Sequence, residues 1–300
     1  MISYRDLLDE VNEYSMKVKQ YARLQIDHKI WDSIEYNDLD RWLSNFQTSE
    51  EKLLSAILLD SLISRSSAQT TSILTNAIER SIPQALYNSP KEIFEGKEFL
   101  NILTSKETSK EIRIVPVIRD QDPPTKSGPS IARMYKRQLG LNEKNMIWPW
   151  LIQENIEAGI KSFIFIDDVL ATGHQVAEFF NFIKNIEYSE EIDFSYIPLL
   201  AHQDGLNRIK SDFPKINICA VEEISTENSL FKSERFCKIH DLEELYLEVA
   251  KKHLHKNLFK KMAKGYEDLA LTFSYYHATP NATLPLYWYE SENFHPLVKR

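Results

Sequence analysis

The residues with the most chemistry in them are two consecutive carboxylates, Asp167 and Asp168. The apolar run Phe163-Ile164-Phe165-Ile166 delivers them, and Val169-Leu170-Ala171-Thr172-Gly173-His174-Gln175 follows. A buried strand that ends in acids, then a short turn and a helix start, is where open α/β sheets place their ligands. Backbone N–H groups of such a turn and of the helix N-terminus form an anion site suited to a monophosphate, and Thr172 adds a hydroxyl donor. Carboxylates repel an anion, so Asp167 and Asp168 suit what lies beside the phosphate: vicinal hydroxyls that donate to them, and a bridging divalent cation. The combination fits a sugar 5-phosphate, with phosphate in the turn and ribose hydroxyls on the aspartates.

A second charged turn lies upstream. The β-branched run at 112–118 leads into Arg119-Asp120-Gln121-Asp122-Pro123-Pro124-Thr125-Lys126-Ser127-Gly128, and a helical pattern begins near Pro129. Gly128 at that helix entrance, with Arg119, Lys126 and Ser127 close in sequence, reads as a site for a diphosphate or a second phosphate.

These turns need elements to hold them. Short apolar strands at 112–118, 163–166, 194–200 and 216–221 alternate with helical patterns near 129–139, 151–161, 176–186 and 206–211, and Gly140 is placed as a C-cap. Such alternation predicts an α/β fold with a parallel sheet covered on both faces. Upstream, Leu53, Ile57, Leu58 and Leu62 recur at helical spacing behind Ser49, a candidate N-cap with Glu50 and Glu51 after it. Pro83 and Asn88-Ser89-Pro90 are expected to turn the chain. Helical spacing returns over 241–276, and the tail ends in a Tyr287-Trp288-Tyr289 cluster. The expected organisation is a helical region over 1–110, an α/β core over 111–235, and C-terminal helices with an aromatic tail over 236–300 packing on the core.

Composition narrows the function class. Among 300 residues, 44 acidic side chains against 36 basic ones give a net charge of −8, which argues against wholesale binding to nucleic acid or an anionic membrane. The two cysteines, Cys219 and Cys237, make neither a disulfide framework nor a metal cage and fit a reducing cytosol. The most apolar window, 53–64, is broken by Asp60 and falls short of the roughly 20 residues of a spanning helix. The amino terminus is acidic and amphipathic, unlike a secretory signal, so the expected location is the cytoplasm. No HExxH, GxxxxGK[ST], GxSxG or GxGxxG pattern occurs, which removes the commoner hydrolase, NTPase and dinucleotide readings.

Four hydrophobics, Asp-Asp, two hydrophobics and Ala-Thr-Gly together resemble the phosphoribosyl pyrophosphate (PRPP) loop of type I phosphoribosyltransferases. The resemblance implies that fold's parallel sheet, with PRPP or a ribose 5-phosphate nucleotide as ligand and Mg²⁺ as cofactor. It assigns the ribose 2- and 3-hydroxyls and the metal to Asp167 and Asp168. The 5-phosphate falls to Ala171, Thr172, Gly173, His174 and Gln175, and the diphosphate to Arg119, Lys126, Ser127 and Gly128. The chain departs from the pattern at His174 and Gln175, where family members usually carry Gly and then Thr or Ser. Conventional members also have a mobile loop that closes over the anomeric carbon; here the span 140–163 holds only Trp148-Pro149-Trp150 and one helix.

The flanking segments Trp42-Leu43-Ser44-Asn45-Phe46, Leu58-Leu59-Asp60-Ser61-Leu62-Ile63, His277-Ala278-Thr279-Pro280-Asn281 and Leu284-Pro285-Leu286-Tyr287-Trp288 are similar to a bacterial group of phosphoribosyltransferase-like proteins. That group is associated with anti-phage conflict systems, including some retrons, as an effector. The likeness implies an effector acting at the anomeric carbon or the diphosphate, with Asp168, His174 and His277 as candidates for acid–base work. The other reading is a catalytically silent nucleotide sensor or adaptor, in complex with a reverse transcriptase and nucleic acid or another defence subunit, and able to form an oligomer. His277 and the tail either fold over the sugar-phosphate site or pack on the core. His202, after the strand that ends at Leu200, reaches the same sheet edge. Lys252, Lys256, Lys260 and Lys264 form an i,i+4 stripe, either a contact for nucleic acid or an acidic partner, or a solvated helix face.

Overall fold

β-Branched and aromatic residues concentrate in the three longest strands, where a pleated, half-covered surface favours them. The computed structural model describes residues 2–87, 96–123, 126–184, 186 and 191–300. The chain divides into two units, one running over 71–224 and the other joining 1–70 to 225–300. The sequence places the limits of the sheet region at 111 and 235; the helices Ile82–Tyr87 and Gly96–Thr104 fall within the unit of the sheet. The turn at Asn88-Ser89-Pro90 lies outside the described residues.

The sheet unit has strands β1 (Ile112–Pro116), β2 (Ser162–Leu170), β3 (Asp193–His202), β4 (Asn217–Ile218) and β5 (Glu222–Ile224). Their order is β1-β2-β3-β4, with β5 also on β3, and every pairing is parallel. Helices α1 (Ser127–Leu139), α2 (Ile152–Glu157), α3 (His174–Ile183) and α4 (Gln203–Asp212) make the crossovers, so the α/β fold with a parallel sheet is present as expected. Along β2 the side chains alternate. Phe163 and Phe165 join one core with Val176, Phe179, Phe180 and Tyr196, the Phe165 ring lying 5.4 Å from Phe179 and 5.5 Å from Phe180. Ile164 and Ile166 take the opposite face and are equally buried, so both faces are covered.

β2 outruns its expected end at Ile166. Pairing with β3 continues through Asp167 opposite Pro198, Val169 opposite Leu200 and Leu170 opposite Ala201, so the two aspartates lie inside the strand. Elsewhere the helix expected over 151–161 is reduced to α2 behind a 3-10 turn at Pro149–Leu151, and the strand expected over 216–221 is reduced to β4, with β5 starting just past its expected end.

The other unit ties the chain ends together. Ile2–Ser3 pairs in parallel with Ile239–His240, and Ile63–Arg65 with Phe273–Tyr275. Its core gathers Trp42, Leu58, Tyr246, Leu286, Tyr287 and Phe294. The Trp42 indole N–H donates to the Leu286 carbonyl at 2.7 Å and its ring stacks on Tyr287, whose hydroxyl donates to the Leu58 carbonyl at 2.7 Å. Tyr287 and Trp288 are thus core residues of this unit. Thr48, one position before the expected cap, closes a capping box with Glu51 at the helix Ser49–Ser61.

The helical pattern over 241–276 breaks at the extended Leu254, giving Leu242–His253 and Lys256–Met262. The lysine stripe is therefore broken up, with Lys252 on the first helix, Lys256 and Lys260 on the second and Lys264 in the turn beyond it. Lys252 pairs with Glu51 at 2.6 Å and Lys264 with Glu243 at 2.9 Å and Asp268 at 3.1 Å. Among the described residues, no helix is long and apolar enough to cross a membrane.

Candidate functional site

Strand alternation separates the two aspartates. Asp167 shares its face with Phe163 and Phe165 and is 2% exposed, whereas Asp168 turns to the opposite face and is half-buried. Asp167 is held by donors of the protein itself. Its Oδ2 accepts from the Tyr196 hydroxyl at 3.1 Å, and its Oδ1 from the Asp168 N–H at 3.0 Å and the Ser127 hydroxyl at 3.5 Å. Burial, and then the Asp168 charge, push the Asp167 carboxyl well above the usual carboxylate range. Burial and the Asp167 carboxyl raise the Tyr196 phenol in turn. Asp167 therefore joins β2 to β3 and to the start of α1. Asp168 accepts from the Val169 N–H at 2.8 Å and is the carboxylate of the pair with solvent access at the sheet edge.

Beyond the aspartates the chain turns through Ala171 and Thr172 into Gly173, whose φ of +82° no side chain adopts without strain. That conformation starts α3, with the Ala177 N–H donating to the Gly173 carbonyl at 2.8 Å. His174 and Gln175 occupy the first helical turn, both half-buried. The start of α4 backs the turn so closely that a Cβ at Gly205 would run into the Ala171 carbonyl oxygen. Arg208 reaches across from α4 to the carbonyl of the buried Thr172 at 3.5 Å. The turn is thus fixed from behind, as an anion cradle requires.

The β1–α1 loop carries its own counter-charge. Asp122 accepts from the Arg119 backbone N–H at 2.9 Å, from Nε at 3.2 Å and from Nη2 at 2.8 Å. The hydrogen-bonded Arg119 guanidinium holds the Asp122 carboxyl below its usual value, against the burial that would raise it. Arg119 Nη1 also pairs with Glu178 of α3 at 2.8 Å, and Lys126 Nζ lies 4.0 Å from Asp122. Gly128 is buried in the first turn of α1. Pro124 and Thr125 of this loop lie outside the described residues.

The structure thus joins Ser127 to Asp167, sets Asp168 on the other face just before the turn 171–175, and ties Arg119 to α3. His277 belongs to the other unit, where its ring stacks on Tyr275 at 5.2 Å. His202 is the N-cap of α4, its Nδ1 accepting from the Asp204 N–H at 3.2 Å. Sequence reasoning missed Tyr196, Asp122, Glu178, Gly205 and Arg208. Only Gly205 carried a signal, as a scarce glycine just after a strand; the others are ordinary residues until the fold sets their neighbours.

A hard divalent cation takes oxygen ligands, commonly one or two carboxylates with the rest from substrate and water. Among the described residues no group of three or more His, Cys, Asp or Glu converges on a metal position. Asp168 fits such a cation together with a phosphorylated substrate. Asp167 is buried and its oxygens accept from Tyr196, Ser127 and the Asp168 N–H, so Asp168 is the carboxylate of the pair that faces solvent.

The family model described as PRTase-CE matches residues 39–300. The chain belongs to the PRTase-CE family. No curated protein matches it. The PRTase-CE match makes this a phosphoribosyltransferase-like protein, and the parallel α/β sheet with its acidic β2–α3 turn is consistent with the type I fold. It also takes in most of the other unit, including Trp42, Tyr287 and Trp288. In this PRTase-CE protein those residues form a buried seam.

Proposed function

We propose that the protein binds a ribose 5-phosphate compound, PRPP or a nucleotide, and acts at its anomeric carbon or diphosphate. The observation that carries this reading is the β2–α3 turn: a half-exposed Asp168 beside a glycine-started helix, backed by the start of α4. The 5-phosphate would sit on the N–H groups of 171–175, with the Thr172 hydroxyl as a further donor, and the ribose hydroxyls would donate to Asp168. Asp167 serves in this proposal by holding Tyr196 and Ser127 in place. His174, at the first turn of α3, is the nearest imidazole in sequence to the phosphate cradle and the candidate for moving a proton.

Mg²⁺ would be held by Asp168 and the substrate's own phosphate oxygens, where it supplies neutralisation of the departing diphosphate. Breaking the bond at C1 leaves the electron pair on the departing group and oxocarbenium character on the sugar, and the incoming nucleophile, a base or water, forms the new bond to C1. Arg119 and Lys126 would stabilise that departing charge. The defence role implied by the resemblance belongs to the same proposal, with depletion of a nucleotide pool as the effect on the cell. His277 enters no step of it.

One observation favours the sensor reading. Arg119 is engaged by both Asp122 and Glu178, so the cation meant for the diphosphate is paired before any substrate arrives. Mass spectrometry of the protein incubated with PRPP, Mg²⁺ and a nucleotide mixture decides between the two. Product formation that Asp168→Asn abolishes supports the enzyme. Binding without turnover supports the sensor.

A further inference from the structure

Trp148 and Trp150 are exposed aromatic residues that the proposed function leaves unused. Their rings stack on each other, with centroids 5.2 Å apart and planes within 8°, yet the residues remain 43% and 48% exposed. The chain's other three tryptophans, Trp31, Trp42 and Trp288, are all buried. Keeping two large indoles in water forgoes the burial that such side chains ordinarily supply. Pro149 begins the 3-10 turn that separates them, so the backbone between the rings is constrained in advance. A preformed pair of this kind loses little entropy when a third flat ring is added.

The sheet register says where the pair sits. Met146 bridges Ile114 of β1 in parallel, and the Ile147 N–H donates to the Ile114 carbonyl at 3.0 Å. Carried two residues beyond that single bridge, the same register sets Trp148 level with Pro116, which is itself level with Ile166 of β2. Trp148 is still extended, so alternation places it on the sheet face shared by Pro116, Ile166 and Asp168. It lies at the carboxyl end of the strands, two strand spacings or roughly 10 Å across from β2. One nucleoside and one indole side chain together bridge such a span.

We infer that the Trp148–Trp150 pair is a stacking platform for the nucleobase of a nucleotide whose ribose lies against Asp168. The inference rests on the sugar-phosphate reading of the β2–α3 turn and adds the base subsite to it. Uncharged indole faces attract a flat base without selecting among purines and pyrimidines, since every base presents a π-face. PRPP, which has no base, gains nothing from the platform.

The test uses the full chain with Mg²⁺ and two probes, PRPP and the four common nucleoside 5′-monophosphates, read by calorimetry and by indole emission. The expected results are quenching of wild-type emission by nucleotide, and a roughly 5- to 150-fold loss of nucleotide affinity in the Trp148→Ala/Trp150→Ala double variant. PRPP affinity should be unchanged in that variant, and Trp148→Phe/Trp150→Phe should recover most nucleotide binding. A double alanine variant that binds nucleotides as the wild type does would overturn the platform while leaving the ribose site standing. So would one that loses PRPP and nucleotide equally. A wild type that binds neither probe would overturn the sugar-phosphate reading, and the platform with it.

Discussion

Asp167 and Asp168 are adjacent in sequence and opposite in the sheet, and their consequences differ accordingly. Asp167→Asn should have little effect on ligand contact but change the pH dependence of stability. Its folded pKa is raised above the ordinary value of about 3.9, so the stability of the protonated form is complete below that value and lost as pH rises through the raised one. Denaturant unfolding followed as the pH rises from about 4 should show that decline in the wild type and not in the variant. Tyr196→Phe removes a hydroxyl from the buried carboxyl and should cost about 1 kcal/mol of unfolding free energy. An unchanged midpoint would mean that the Tyr196 contact holds nothing in place. The sequence pointed to the acidic pair but not to its division of labour. The apolar run stops at Ile166 in the sequence, and alternation separates neighbours only while a strand continues.

The turns depend on elements packed behind them. Gly173→Ala places a side chain in left-handed backbone and should cost about 1–2 kcal/mol, with weaker phosphate binding as the companion effect. The loop after β1 is tied to α3 by the Arg119–Glu178 pair. Glu178→Gln should loosen Arg119 for an incoming anion and raise diphosphate affinity up to about fivefold at low salt. Titration at two ionic strengths checks this, and an unchanged affinity would show that Arg119 faces no diphosphate. The alternation of strands and helices from 112 to 224 was legible because apolar runs bounded by polar turns report directly on a parallel sheet. Glu178 and Asp122 were not, since which carboxylate meets Arg119 is a tertiary fact. The lysine stripe misled for a related reason: periodicity ran on through Leu254, where the backbone turns extended.

At the scale of the molecule, two units each have their own apolar core. The unit of the chain ends was the less legible one. Its strands are only two or three residues long, and pairings such as Ile63–Arg65 with Phe273–Tyr275 span some two hundred residues that local pattern cannot see. The aromatic tail was visible in sequence, but its partner Trp42 was not. Trp42→Ala should cost about 3–5 kcal/mol by opening that core, whereas it leaves the cradle's own residues untouched. The account of function rests on the sheet unit and on one carboxylate at its edge. Calorimetric titration of PRPP with Mg²⁺ into the wild type and Asp168→Asn tests it most directly. The account predicts saturable binding that weakens at least about tenfold in the variant, with unfolding unchanged. Equal binding by both proteins, or none by the wild type, would contradict it.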